Sequence, residues 1–200
     1  MQAKETKLQD IIEGTKQYVI PLFQRTYSWT DREWANLWQD LIDLCEMENP
    51  KTHFIGSIVS MPTVSVPEGV AKYLLIDGQQ RLTTIFIILA LLRDAACAAH
   101  NTEFAQEINN TLLVNPYKKD RDYYKLMPTQ IDREVYFNLI KPNDGDANHN
   151  EGDTNSKIAQ AYKFFNDKLS HIKIPNDKLN NHQLKLVGLG YALEVLIRVA

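Results

Sequence analysis

Only two cysteines, Cys45 and Cys97, occur in the 200 residues of this chain. Two such distant thiols do not make a disulfide framework, and neither has a second ligand at metal-binding spacing. Both fall in stretches of helical pattern and are expected to be buried free thiols, as in a reducing compartment. Charge of one sign is equally scarce: 22 Lys and Arg stand against 25 Asp and Glu, for a net charge of −3. That balance excludes a domain that grips DNA through a broad basic face alone. No apolar run is long enough to cross a bilayer, because Thr83, Thr84, Arg93 and Asp94 interrupt the longest, 82–99. The opening residues, Met1-Gln2-Ala3-Lys4-Glu5-Thr6-Lys7, lack the apolar core of a secretory signal. Gly-x-x-x-x-Gly-Lys-Ser/Thr is also missing, so any phosphate is cradled by something other than a P-loop. A hydrophobic fraction of 44% is enough for one good core. These features predict a cytoplasmic globular protein without a membrane partner.

What is present is concentrated at Leu74-Leu75-Ile76-Asp77-Gly78-Gln79-Gln80-Arg81-Leu82-Thr83-Thr84. Three apolar residues suited to a buried strand meet Asp-Gly, a pair that favours a sharp turn. A helical run follows, from Arg81 to about Cys97. The unpaired N–H groups and positive dipole end of such a helix favour an anion. Arg81 adds a planar donor fork suited to phosphate, Gln79 and Gln80 add neutral donors and acceptors, and Asp77 is the nearby acid for a metal ion or a water. The plainer reading of the same residues is a strand–turn–helix junction with a solvated tip.

A second segment resembles the first in chemistry. Ile20-Pro21-Leu22-Phe23-Gln24-Arg25-Thr26-Tyr27-Ser28-Trp29 leads into a helix opened by Thr30-Asp31-Arg32-Glu33, which has the pattern of a capping box. Two Gln-Arg elements, Gln24-Arg25 and Gln80-Arg81, each at a helix start, suggest a shared polar pocket.

The pairing of Ile-Pro-x-Phe-Gln-Arg-x-Tyr-x-Trp with a downstream Asp-Gly-Gln-Gln-Arg-Leu-Thr-Thr resembles the N-terminal domain of GmrSD-type, modification-dependent restriction endonucleases. His53-Phe54-Ile55-Gly56-Ser57-Ile58-Val59 resembles the family's intervening strand, and the likeness is strongest over 18–95. Over Leu126 to Leu169 it is carried by Asp132, Tyr136, Ala161, Tyr162, Phe164 and Phe165. The resemblance implies a ParB/sulfiredoxin-like fold and nucleoside-triphosphate binding and hydrolysis, coupled to recognition or cleavage of modified foreign DNA. It also implies further helices with a Phe-Glu-x-x-Asn-type element, and often an HNH-type nuclease domain or partner subunit, beyond this sequence. The apolar ending, Tyr191 to Ala200, is expected to continue into such a region, so that activity requiring it would be absent here.

The pattern predicts an α+β fold: a small ParB-like mixed sheet with packed helices over 1–100, then a helical portion over 101–200. A short amphipathic turn spans Leu8 to Ile12, and Gln17 to Ile20 is a strand. Trp34, Leu37, Trp38, Leu41 and Leu44 line one face of a helix from Asp31 to about Met47 and read as core, although a tryptophan pair could also stack on bases. His53 to Ser60 and Lys72 to Ile76 read as strands joined by a long connection, Met61 to Ala71, that could act as a flap. Gly56 marks either a close backbone approach by a ligand or a bulge. Gln130 to Ile140, Asn155 to Ser170 and Asn176 to Ala200 are expected helices, with a polar loop from Lys141 to Thr154. Asp144, Asp146, Glu151 and Asp153 in that loop lack the ordered spacing of a calcium site. Lys118, Lys119 and Arg121, mixed with tyrosines and aspartates, read as a solvated loop.

These residues point to a nucleotide site in which Asp77, Gln79, Gln80 and Arg81 are catalytic and Gln24, Arg25, Gly78, Arg81 and Thr83 hold phosphate or nucleotide. Tyr27 and Trp29 form the second layer or a base pocket, and Asp77 carries Mg²⁺. The partners expected are a nucleoside triphosphate and, through the full-length protein, modified DNA. The alternatives are a non-catalytic module that senses DNA modification in the same pocket, or a DNA nickase.

Overall fold

In a computed structural model the described residues are 6–46, 54–63, 69–142 and 155–171. The chain begins with α1 (Leu8–Ile12), β1 (Lys16–Val19), α2 (Asp31–Glu46), β2 (Val59–Pro62), β3 (Ala71–Asp77) and α3 (Gln79–Ala98). It continues through α4 (Thr102–Glu107), a π-helical turn (Ile108–Leu113), a 3₁₀ turn (Asp120–Tyr123), β4 (Leu126–Met127), α5 (Arg133–Ile140) and α6 (Lys157–Ser170). The strands form one mixed sheet in the order β2-β3-β1-β4. β1 is parallel to both β3 and β4, and β2 is antiparallel to β3. The fold is therefore α+β, as its sequence pattern predicts.

The axis of the fold is α3. Its residues are apolar on every side, so it cannot lie on a surface; α6, α5, α4 and the π-helical turn surround it. Leu82, Phe86, Ile87, Ala90 and Leu92 are completely buried. One hydrophobic cluster joins Leu8 of α1, Trp34 and Leu41 of α2, Tyr136 of α5 and Phe165 of α6 to this helix. The Trp34–Trp38 stripe is core, with Trp34 against Phe164 and Trp38 against Phe165. Arg93, buried in α3, donates to the carbonyls of Ile140 and Lys141 at 2.5 and 2.9 Å and so satisfies the carboxyl end of α5.

Several expectations are corrected. The strand expected from His53 begins at Val59 and runs on to Pro62. Residues 54–58 leave the ladder because Gly56 takes φ +96° and the carbonyls of Ile55 and Ser57 turn toward Arg81. The helix expected from Gln130 starts at Arg133, since Thr129 to Asp132 form a turn closed by Asp132 N–H on the Thr129 carbonyl at 3.1 Å. Cys97 is exposed rather than buried; it lies in the last turn of α3, where Ala96 faces inward and the next residues emerge from the core. β4, beyond residue 100, completes the sheet although no strand was expected there. His53, the side-chain surroundings of Cys45, residues 143–154 with their four acids, residues 64–68 of the 61–71 connection and the helix expected at 176–200 lie outside what is described.

Buried phenols set a limit at alkaline pH. Burial raises the ionisation of Tyr18, Tyr27 and Tyr136 far above the ordinary range. A pKa raised in the folded state gives stability that is present below the unfolded value of about 10 and lost as pH rises beyond it. Lys125 acts in the opposite sense: desolvation lowers it to about 8, so the folded chain loses its proton first and stability gains between about pH 8 and 10.5. Denaturant titrations should give little net loss up to about pH 10 and a steep loss above it. A smooth decline from pH 8 would contradict this balance.

Candidate functional site

The three mutually parallel strands all run out at the same edge of the sheet. From Val19 the chain enters the 20–30 loop, from Asp77 it enters α3, and from Met127 it enters the turn that precedes α5. In open α/β sheets this carboxyl edge is where ligands collect, because loops there are held by a rigid scaffold yet face solvent.

The loops are stitched together largely through main-chain groups. Ile20 N–H donates to the Met127 carbonyl at 2.9 Å, and Gln24 N–H closes a turn on the Pro21 carbonyl at 3.0 Å. The Gln24 amide donates to the Ile76 carbonyl at 2.9 Å. Gln79 Nε2 donates to the Arg25 carbonyl at 3.1 Å. Gln80 grips two residues at once: Nε2 donates to the Thr26 carbonyl at 3.1 Å, and Oε1 accepts the Ser28 N–H at 2.8 Å. Its side chain thus imitates one rung of a β-ladder. Asp132 Oδ2 accepts the Tyr27 N–H at 2.8 Å and the Thr129 hydroxyl at 2.7 Å. The loop of the first Gln-Arg element thus lies against the start of α3, where Gln79 and Gln80 hold the backbone of residues 25, 26 and 28.

Beneath them runs a buried chain of donors. Trp34 Nε1–H donates to the Tyr27 hydroxyl at 2.8 Å, that hydroxyl lies 2.6 Å from Thr84 Oγ1, and Thr84 donates to the Gln80 carbonyl at 2.8 Å. Tyr27 is therefore fixed inside the protein. Thr84 back-bonds to its own helix, the plainer of the two roles open to it. The capping pattern at Thr30 is half realised: Thr30 N–H and its hydroxyl both donate to Glu33 Oε2, at 2.9 and 2.8 Å. Those bonds, the backbone one first, lower the Glu33 carboxyl below its usual range.

The arginines diverge. Arg81 donates from Nη1 to the Ile55 carbonyl at 3.2 Å and from Nη2 to the Ser57 carbonyl at 2.7 Å. A Cβ on Gly56 would lie 1.6 Å from Arg81 Nη1, so the group that approaches this glycine is the protein's own guanidinium, where a ligand or a bulge was the expectation. Arg81 lines a cleft of about 210 Å³ with Trp29, Glu33, Asp40, Phe54 and Ile85. Arg25 is exposed, and its guanidinium has no hydrogen bond or ion pair among the described residues. It lines a separate small cavity with Gln79, Thr83, Thr129 and Asp132. That space, about 10 Å³, has the room of a single water. Gln79 Oε1 is buried without a partner, which is the kind of group such a water satisfies.

Gly78 starts α3 in the left-handed region, φ +88°, and no side chain caps the helix. A Cβ there would press on Ile58 Cγ1 at 3.0 Å and the Ser57 carbonyl at 3.1 Å. Asp77 is exposed and accepts the Gly78 N–H on Oδ1 at 2.7 Å. Among the described residues no three His, Cys, Asp or Glu side chains group as a metal cage.

A family model described as "GmrSD restriction endonuclease, N-terminal domain" matches residues 8–189. The chain belongs to that family. No curated protein matches it. Membership in the GmrSD family makes this a restriction-type defence protein domain of a DNA-acting system, and no helix among the described residues is long and apolar enough to cross a membrane. Of the residues that sequence pattern assigns to the site, Gln24, Arg25, Asp77, Gly78, Gln79, Gln80 and Thr83 gather at the carboxyl edge, with Tyr27 buried beneath. Arg81 and Trp29 line the neighbouring cleft instead of sharing one pocket with Arg25. Asp132, as anchor of the loop, is the residue that pattern reading left out of the site. Its signals are its place in the family likeness and Thr129-x-x-Asp132 shortly after Leu126-Met127, a common turn pattern.

Proposed function

We propose that this chain is a nucleotide-binding and nucleotide-hydrolysing domain of a GmrSD-type restriction system that acts on modified foreign DNA. The observation that carries the reading is the convergence, at one edge, of an Arg25 guanidinium without a partner among the described residues and the side-chain-uncapped start of the 20-residue helix α3. A helix of that length presents free N–H groups and a positive dipole end to an anion. A planar guanidinium beside it suits phosphate oxygens.

In this reading Arg25 takes the terminal phosphates and the α3 start takes the neighbouring ones. Arg81 is committed to two carbonyls through two of its five N–H donors, and the remainder approach phosphate from the cleft side. Gln79 Oε1 has no protein partner among the described residues and holds a water. Thr83 lines the same cavity, and Gln24 and Gln80 fix the loop that carries Arg25. Trp29 is the nearest wall for a base. Asp77 retains one carboxylate oxygen not engaged with Gly78, which suits Mg²⁺, an ion commonly held by one or two carboxylates plus substrate phosphates. When bound, that ion would neutralise phosphate charge.

The test is thermal unfolding of the chain with Mg²⁺ and each common ribonucleoside triphosphate, for wild type, Arg25→Ala and Arg81→Ala. A triphosphate at a hundredfold excess over its Kd should stabilise the wild type by about 2.7 kcal/mol. Arg25→Ala should abolish most of that shift while leaving the unliganded midpoint unchanged, because its side chain is exposed. The nucleotide reading is wrong if no triphosphate moves the midpoint while modified DNA does.

A further inference from the structure

We propose that Leu22 and Phe23 form a wedge that inserts between stacked bases of DNA. The inference rests on the DNA-acting role of the family, and is independent of nucleotide hydrolysis. Both side chains are 79% exposed, and they are adjacent. Single exposed apolar residues are ordinary, whereas two large ones at the tip of a fastened turn are not. The turn is closed by Gln24 N–H on the Pro21 carbonyl at 3.0 Å and tied to β3 by the Gln24 amide on the Ile76 carbonyl at 2.9 Å. Immediately after it the Arg25 carbonyl is held by Gln79 at 3.1 Å. The pair therefore cannot fold back onto the core without breaking these bonds.

Shape and charge select the occupant. The turn projects outward, so it enters a partner; a free nucleobase would need a concave wall on this side. Arg25, two residues after the wedge in the same loop, is exposed and sets positive charge beside the point of entry, which suits a polyanion. Ile131, 80% exposed, caps the neighbouring turn, which is joined to the loop by Asp132 on the Tyr27 N–H. Apolar wedges that enter a base step unstack it locally, and the cost is offset by new contacts. Opening a step would bring an altered base within reach of the same sheet edge.

The experiment uses a short duplex with 2-aminopurine beside cytosine or 5-methylcytosine, titrated with wild type, Leu22→Ala/Phe23→Ala, and Phe23→Trp. The nucleotide-induced melting shift and the sedimentation coefficient are read on the same samples. Wild type should bind the duplex and raise 2-aminopurine fluorescence. The double variant should bind roughly tenfold or more weakly, the scale of losing one stacked base, and should lose the fluorescence rise. Its melting midpoint and nucleotide shift should match wild type, and Phe23→Trp should retain both DNA signals. Wild-type affinity in the double variant, no binding of either duplex by wild type, or a change of oligomeric state in the double variant would each overturn the wedge. The nucleotide shift separately reports whether the phosphate site stands.

Discussion

Gly56→Ala is expected to lower stability by about 3 kcal/mol, although the substitution adds a single methyl group in a half-exposed loop. Two causes add. A residue with a Cβ at φ +96° is strained by roughly 1–3 kcal/mol. The new methyl would also occupy the place of the Arg81 guanidinium, at 1.6 Å from Nη1 and 2.6 Å from Cζ. The tip of an arginine can swing away, and the cost is then its hydrogen bonds to the Ile55 and Ser57 carbonyls. Bonds from a charged donor contribute about 1.5–3 kcal/mol each where sheltered and less where one partner is wet. For a chain of this size the melting midpoint should fall by roughly 6–12 °C. The cause is separable by a double-mutant cycle with Arg81→Ala. In that background Gly56→Ala should retain only the backbone strain, and full additivity would mean that the guanidinium has no part in the effect.

Gln80→Leu should have a comparable cost by a different route. The leucine fills similar space but leaves the Ser28 N–H and the Thr26 carbonyl without the partners they have now. A backbone group left unpaired costs about 1–3 kcal/mol where it is buried and less where water can replace the partner, as at the exposed Ser28, so a loss of roughly 1–3 kcal/mol is expected in urea unfolding. The loop also carries Arg25, so any nucleotide shift should weaken with it. Gln80→Glu divides the two bonds: the carboxylate keeps the Ser28 N–H and opposes the Thr26 carbonyl. A leucine variant within about 0.5 kcal/mol of wild type would mean that the glutamine is not what holds the loop.

What could be read from the sequence follows how local its causes are. α3 was legible because seventeen nearly continuous helical residues need no distant partner to declare themselves, and the Trp34–Leu44 stripe was legible from its spacing of three and four. The single pocket expected of the two Gln-Arg elements divides between the arginines, which line separate spaces; that their loops adjoin was legible as a pairing of motifs. The route by which they meet was not, because it runs through backbone carbonyls, which carry no residue identity. Gly56 and Arg81 lie 25 apart, and their contact cancels a strand that residues 54–58 otherwise favour. Asp132 lies 105 residues from the Tyr27 N–H that it accepts, and nothing near either residue marks the link. Cys97 was misjudged because helical pattern says that a turn exists but not where the helix leaves the core.

The grip of Gln79 and Gln80 has a consequence for how such a domain can diversify. They hold residues 25, 26 and 28 by main-chain atoms alone, so the mount does not read the side chains standing on it. Arg25, Thr26 and Ser28 could be exchanged for other residues, and the surface offered to a ligand retuned, without loosening the frame. The two glutamines have no such latitude. That separates a fixed chassis from replaceable contact positions.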